Sequence, residues 1–222
     1  MWRSNVGTEM GSVPTADNGR VFAQSIDGKL TALDSQTGEE LWTYNSQVPR
    51  LTLRGTSSPV VANDVVYTGF ASGKVTALRA ENGEPIWEQR VMLPEGRSEL
   101  ERIVDWEQDT SSFLNMAEGY GQIYIVDEED TIVAIDQNSG EVVWQQAAFA
   151  RRKLTAPLAF SNYIFVGDEE GYLHAIAQRD GRLLGRIKVG GKGLRADLVV
   201  ADGVVYAFDT KGTLHAFKAV LR

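Results

Sequence analysis

The sequence predicts an all-β chain folded as a β-propeller of four-stranded antiparallel blades, about five of them. Three observations predict it. The stretch GKLTALDSQTGEELW (28–42) returns as GKVTALRAENGEPIW (73–87), DTIVAIDQNSGEVVW (130–144) and GYLHAIAQRDGRLLG (171–185), with a last partial copy, GTLHAFK (212–218). Upstream of each copy lies a second shared unit: GRVFAQSIDG, DVVYTGFASG, GQIYIVDEED, NYIFVGDEEG and GVVYAFDTKG. Before that comes a third, SVPTAD, SPVVAN, LNMAEG, APLAFS and ADLVVA. Each repeat thus offers short segments rich in Val, Ile, Leu, Tyr and Phe. Gly, Asn and Asp turns separate them, as in strands joined by tight hairpins. A period near 40 residues with four strands per unit is that of a propeller. No segment keeps a helical period, so helical repeats are disfavoured.

Taken in order, the repeats fall at about 12–47, 57–92, 113–147, 155–189 and 195–218, within a single domain of 1–222. Gly38, Gly83, Gly140 and Gly181 share one place between the third and fourth strands, where a tight hairpin needs positive φ. Trp42, Trp87 and Trp144 follow four residues later, at a fixed place that suits packing between neighbouring blades. The Trp spacings run 40 from Trp2 to Trp42, 45 to Trp87, only 19 to Trp106, then 38 to Trp144. No blade fits into 19 residues, so 100–109 reads as the remnant of a missing blade, with a deletion at about Asp105–Trp106. The last repeat has three strands. Residues 2–5 have the character of a fourth, expected to close the last blade beside 213–218 and remove an exposed edge.

Composition narrows the function. The net charge is −8, which argues against a general nucleic-acid or anionic-membrane binder. There is no cysteine, which excludes disulfides, thiolate metal sites and cysteine nucleophiles. No apolar run approaches the length of a membrane span, and the opening MWRSNVGTEMG has no apolar signal-peptide core.

Propeller topology places the loops. In an up-and-down blade, the turn between strands two and three shares a face with the loop to the next blade. That face collects PRLTLRG (49–55), LPEGRSELERIVD (93–105), AFARRKL (148–154) and GGKGLR (190–195), with the turns DEED (127–130) and DEEG (168–171). The opposite face has only short turns such as SQTG and AENG. Function favours the longer loops. PRLTLRG stands out because Leu51 and Leu53 are flanked by Arg50 and Arg54, the composition of a binding hot spot.

Two motifs carry a family resemblance. The pattern A-[LI]-D-x-x-[TS]-G-x-x-x-W, met in full by Ala32 to Trp42 and by Ala134 to Trp144, resembles the PQQ-like propeller repeat. That repeat occurs in quinoprotein dehydrogenases and in non-enzymatic relatives. The second copy departs from it at Arg79, and the fourth at Ala177 and Gly185. LTLRGTSSPVV (51–61) followed by RSELERIVD (97–105) resembles the BamB family of outer-membrane assembly lipoproteins, and the likeness runs on through DEEGYLHAI (168–176) to the C-terminus. The resemblance implies a non-enzymatic scaffold on the periplasmic side of the outer membrane, without a cofactor. It implies contact with BamA, the barrel-inserting partner, through Leu51, Leu53 and Arg54, with Arg102 and Asp105 of the second loop in the same region. Nascent outer-membrane proteins are a second expected partner, and nucleic acid is not. Family members are eight-bladed and membrane-anchored through a lipidated cysteine. This chain lacks that anchor and reads as a truncated, internally shortened member. Where the family's second loop continues with another aspartate, this chain has Trp106.

The alternative is a fragment of a quinoprotein-like dehydrogenase. The chain has neither the vicinal cysteines many of those enzymes use nor a cluster with their calcium-and-aspartate signature. His174 and His215 share a repeat position that Thr31, Thr76 and Val133 fill elsewhere, which marks it as a strand position. DEED and DEEG lack the alternating spacing of a calcium loop and read as exposed acidic hairpin tips. VGGKG (189–193) has no Ser or Thr after its lysine and reads as a plain loop.

Overall fold

The computed structural model describes residues 1–10, 12–46, 57–70, 73–91, 115–127, 129–190 and 193–218. Among these, every regular element is a β-strand, and the strands form five antiparallel sheets, each in sequential order. The chain divides into two compact units, Met1–Leu114 and Asn115–Arg222.

The first unit holds two sheets. One is β1 (Thr15–Asp17), β2 (Arg20–Gln24), β3 (Lys29–Asp34) and β4 (Glu40–Asn45); the other is β5 (Val60–Ala62), β6 (Val65–Gly69), β7 (Lys74–Arg79) and β8 (Pro85–Arg90). The second unit holds three. They are β9 (Asn115–Gly119) to β12 (Val142–Gln146) through β10 (Gln122–Val126) and β11 (Ile132–Asp136); β13 (Leu158–Phe160) to β16 (Leu183–Lys188) through β14 (Tyr163–Gly167) and β15 (Tyr172–Ala177); and a three-stranded sheet of β17 (Val199–Ala201), β18 (Val204–Phe208) and β19 (Leu214–Lys218). This is the all-β, four-stranded blade pattern that the repeats predict.

The two middle strands of each complete sheet are packed on both faces, which explains their near-continuous apolar runs: QIYIV of β10 is buried throughout. Neighbouring sheets share cores. Phe22, Leu30 and Ala32 of the first sheet pack with Val66 and Leu78 of the second. In the second unit, Tyr124, Ile132 and Ala134 pack with Ile164, Val166 and Ile176. Phe165 and Leu173 pack with Val205 and Ala207 across the next seam. Each fully buried aliphatic or aromatic side chain contributes about 1.5–3 kcal/mol.

The third hairpin of each complete sheet is built the same way. Gly38, Gly83, Gly140 and Gly181 have φ of +74°, +74°, +74° and +70°, as the turn requires. Asp34 Oδ1 accepts hydrogen bonds from the Gln36 and Thr37 amides, both at 2.8 Å, and Asp136 Oδ1 accepts them from Asn138 and Ser139, both at 2.9 Å. The register then shifts by one residue at Ala32/Leu33, Ala77/Leu78, Ala134/Ile135 and Ala175/Ile176. The extra residues this bulge creates, Leu41, Ile86, Val143 and Leu184, are turned outward, which explains four exposed aliphatics.

The tryptophans reveal a second demand on those glycines. A methyl group at Gly83 would lie 2.6 Å from Trp42 of the preceding sheet, and one at Gly181 would collide with Trp144. Each indole N–H donates to a carbonyl of the sheet it packs on: Trp42 to Ala80 at 3.0 Å and Trp144 to Gln178 at 2.9 Å. Trp42 is buried, whereas Trp87 and Trp144 are half-buried.

Two expectations at the chain's irregular places meet different outcomes. Residues 2–5, expected as the last blade's outer strand, carry no strand, and the final sheet has three strands among the described residues. Instead Trp2 lies against Gly38 and donates its indole N–H to Ser35 O at 3.0 Å, which repeats the Trp42–Gly83 arrangement. The supposed blade remnant at 100–109, with Trp106, lies outside the described residues.

Candidate partner-binding face

The five residues expected to bind a partner, Leu51, Leu53, Arg54, Arg102 and Asp105, all lie outside the described residues. The structure describes the residues that flank the first of these loops and the one that precedes the second. Strand β4 ends with the Ser46 amide donating to Gly28 O at 2.9 Å, in the β2–β3 turn. The chain resumes at buried Ser57, whose hydroxyl accepts the Gly69 amide at 2.9 Å, at the end of β6. Ser46 and Ser57, which flank segment 47–56, are therefore both fixed at the β2–β3-type turn end of their sheets. The segment after β8 leaves from the equivalent place, with the Val91 amide on Gly73 O at 3.0 Å.

The second unit shows how this end is built. Asp130, in the turn after β10, accepts the amides of Lys153 and Leu154 at 2.9 and 2.8 Å. The Glu169 amide donates to Arg152 O at 2.9 Å, and the Leu194 amide donates to Asp168 O at 2.8 Å. Turns and sheet-to-sheet loops thus share one end, as the topology predicts, and the turns act as clamps for the loops.

The acidic turns are not exposed tips, which corrects that expectation. Asp127, Asp130 and Asp168 are buried. Their carboxylates cap amides that have no ladder partner: Asp127 takes Glu129 and Thr131, and Asp168 takes Tyr172. A buried unpaired amide is costly, so the acid enters the interior to serve it. In the second of these turns the glutamates face outward and meet the basic loops. Glu169 pairs with Arg195 at 2.9 Å and Lys153 at 3.2 Å, and Glu170 with Arg152 at 3.2 Å.

Asp168 is the most connected of these groups. Its Oδ2 meets Arg152 Nη1 at 2.9 Å and His174 Nε2 at 2.8 Å. Burial pushes its carboxyl up, but the Tyr172 amide, His174 and Arg152 outweigh that and hold it below its usual value. Arg152 is correspondingly held above its own. At Glu169, hydrogen bonds from Arg195 and Lys153 depress the carboxyl.

The histidines do occupy strand positions, as expected, and each also has a carboxylate partner. His215 Nε2 lies 3.0 Å from Asp209 Oδ2, which repeats the His174–Asp168 pair one sheet on. His174 and Asp168 are sealed from solvent, and Phe149 lies edge-on to the imidazole at 4.9 Å. Through Arg152, the same carboxylate ties this buried dyad to the sheet-to-sheet loop. Among the described residues no group of three or more His, Asp or Glu is placed to hold a metal ion. The repeated DEED/DEEG turns facing ARRK were the available signal for this network; it was missed because acidic turns are commonly surface features.

Repeated hairpins, indole-on-glycine seams and one loop-bearing end define a β-propeller of the PQQ-like repeat class. The family model described as outer membrane protein assembly factor BamB matches residues 1–128 and 128–220, and the chain belongs to that family. The BamB protein of Pseudomonas aeruginosa is 37% identical over 204 residues, covering 78% of this chain and 54% of that one. That of Yersinia pestis is 31% identical over 248 residues, covering 97% and 63%. The chain therefore spans less than two thirds of the length of either. That of Alkalilimnicola ehrlichii is 34% identical over 337 positions, covering 99% of this chain and 88% of that one. An alignment that long leaves more than a hundred positions of that relative without a counterpart among 222 residues. Among solved structures, BamB from Moraxella catarrhalis has a TM-score of 0.62 at 22% identity, covering 98% of this chain and 75% of that one. The computationally designed Ika8 protein has a TM-score of 0.69 at 14% identity, covering 93% and 57%. These two likenesses show the fold.

Proposed function

We propose that this chain is a non-enzymatic scaffold subunit in outer-membrane β-barrel assembly, acting on the periplasmic side of that membrane. It would hold a BamA-like barrel-assembly protein through loops at the turn end of its sheets, with Leu51, Leu53 and Arg54 as the anchor and Arg102 and Asp105 beside them. The observation that supports this most is the mounting of segment 47–56. Its flanking residues are fixed, Ser46 on Gly28 and Ser57 on Gly69. A segment with two leucines and two arginines, held at both ends by rigid sheets, loses less conformational entropy on binding than a free one. Family membership supplies the partner class, since the relatives are named outer membrane protein assembly factors. Calorimetric titration of the chain with the periplasmic domains of a BamA-like protein tests the reading. Saturable one-to-one binding is expected, and no binding at any attainable concentration would overturn it.

A further inference from the structure

We propose that the free edge of β16 docks an extended segment of another polypeptide, added as a further strand, in which acidic and apolar residues alternate. The other fourth strands carry features that β16 lacks. Trp42 in β4 and Trp144 in β12 tie their strands down on the neighbouring sheet. β8 opens at Pro85, a residue that edge strands use against pairing because it offers no amide. β16 has Gly185 where those strands have tryptophan, and all six of its residues are exposed, Leu183, Leu184 and Ile187 among them.

The ladder decides which backbone groups this edge offers. The Val189 amide donates to Gly171 O at 2.9 Å. The register then runs Tyr172↔Lys188, Leu173↔Ile187, His174↔Arg186 and Ala175↔Gly185. Hydrogen bonds in an antiparallel pair fall on alternate residues, so Gly185, Ile187 and Val189 turn their amides and carbonyls toward β15. Those of Arg186 and Lys188 point away from the sheet and have no backbone partner among the described residues. An unpaired row of this kind is a template for another strand.

Charged side chains often guard such an edge by standing across it. Here the Arg186 guanidinium lies over the Tyr172 ring at 4.9 Å and the Lys188 ammonium at 4.3 Å, and Lys188 also donates to Glu170 O. Both cations are folded back onto one face of their own sheet, and neither has a carboxylate partner among the described residues. The pleat then selects the occupant. Side chains alternate between faces, and directly paired residues share a face. A residue added opposite Arg186 or Lys188 meets a cation, and the residue between them meets Ile187 on the other face. An acidic–apolar–acidic run suits all three. A second copy of β16 does not, because its own cations would oppose these.

Two short synthetic peptides are the probes, one alternating Glu with Val and one alternating Lys with Val, each titrated into the isotope-labelled full chain and followed by NMR. The glutamate peptide is expected to bind saturably, with amide shifts centred on Arg186 and Lys188. The lysine peptide is expected to bind more weakly by about tenfold. Arg186→Glu combined with Lys188→Glu should exchange that preference. Methylating the backbone amides of the glutamate peptide keeps its charge and removes its donors, and is expected to abolish binding to the unmodified chain. That arm holds whether or not the double variant folds. No saturable binding of the glutamate peptide overturns the proposal. So does binding that survives methylation, which would be adhesion by charge alone, and so does a preference that the double variant leaves unmoved. None of these outcomes depends on partner binding by segment 47–56.

Discussion

At the scale of single residues, glycine and tryptophan are coupled across sheets. Gly83 needs positive φ for its hairpin and also lies directly under the Trp42 ring. The first demand is legible in the sequence, because a recurring glycine between two strands signals a turn. The second is not, because the indole comes from a different repeat. Gly83→Ala is therefore expected to destabilise by more than about 1 kcal/mol, from strain and overlap together. Trp42→Ala should cost about 3–5 kcal/mol, and Trp2→Ala less, since that indole is 38% exposed. Urea denaturation of the three variants checks the order; Trp2→Ala as the costliest would contradict it. Asp168 gives a pH signature. Its carboxyl is held below the usual value, so it stabilises the fold fully above about pH 4, and that contribution is lost as pH falls through the depressed value. Asp168→Asn should be less stable at neutral pH and should lose less stability on acidification below about pH 4. An unchanged slope would show that the carboxylate is not the acid-sensitive group.

At the scale of elements, the turns after the second strands are loop clamps. Asp130 reaches out of its own sheet to cap Lys153 and Leu154 at the head of the next. Asp130→Ala would leave two amides without their acceptor, at a cost of about 1–3 kcal/mol. Hydrogen exchange should accelerate at Lys153 and Leu154 more than in β10 or β11, and uniform acceleration would mean the variant acts on the whole unit. Strand number and order were legible because Val-, Ile- and Tyr-rich segments alternate with Gly, Asn and Asp turns. The burial of Asp127, Asp130 and Asp168 was not, since DEED and DEEG look solvated until the amides they serve are seen. The bulge that turns Leu41, Ile86, Val143 and Leu184 outward was equally hidden, because its register shift leaves no compositional trace.

At the scale of the whole molecule, the repeat fixes the blade pattern and the family, and the proposed function rests on segments that interrupt the repeat. PRLTLRG and RSELERIVD were legible as candidates because they break a regular pattern with apolar and charged residues together. Their side-chain geometry was not legible, because no periodicity constrains a loop between sheets. The structure fixes the residues that flank segment 47–56, Ser46 on Gly28 and Ser57 on Gly69, all in the first unit. On the proposed function, this segment would grip a BamA-like partner without supporting the fold. The most direct test measures affinity for that partner's periplasmic domains alongside the melting temperature, for the chain and for Leu53→Ala with Arg54→Ala. The expected result is binding weaker by about 2–4 kcal/mol at an unchanged melting temperature. Unchanged affinity, or a large fall in melting temperature, would contradict it.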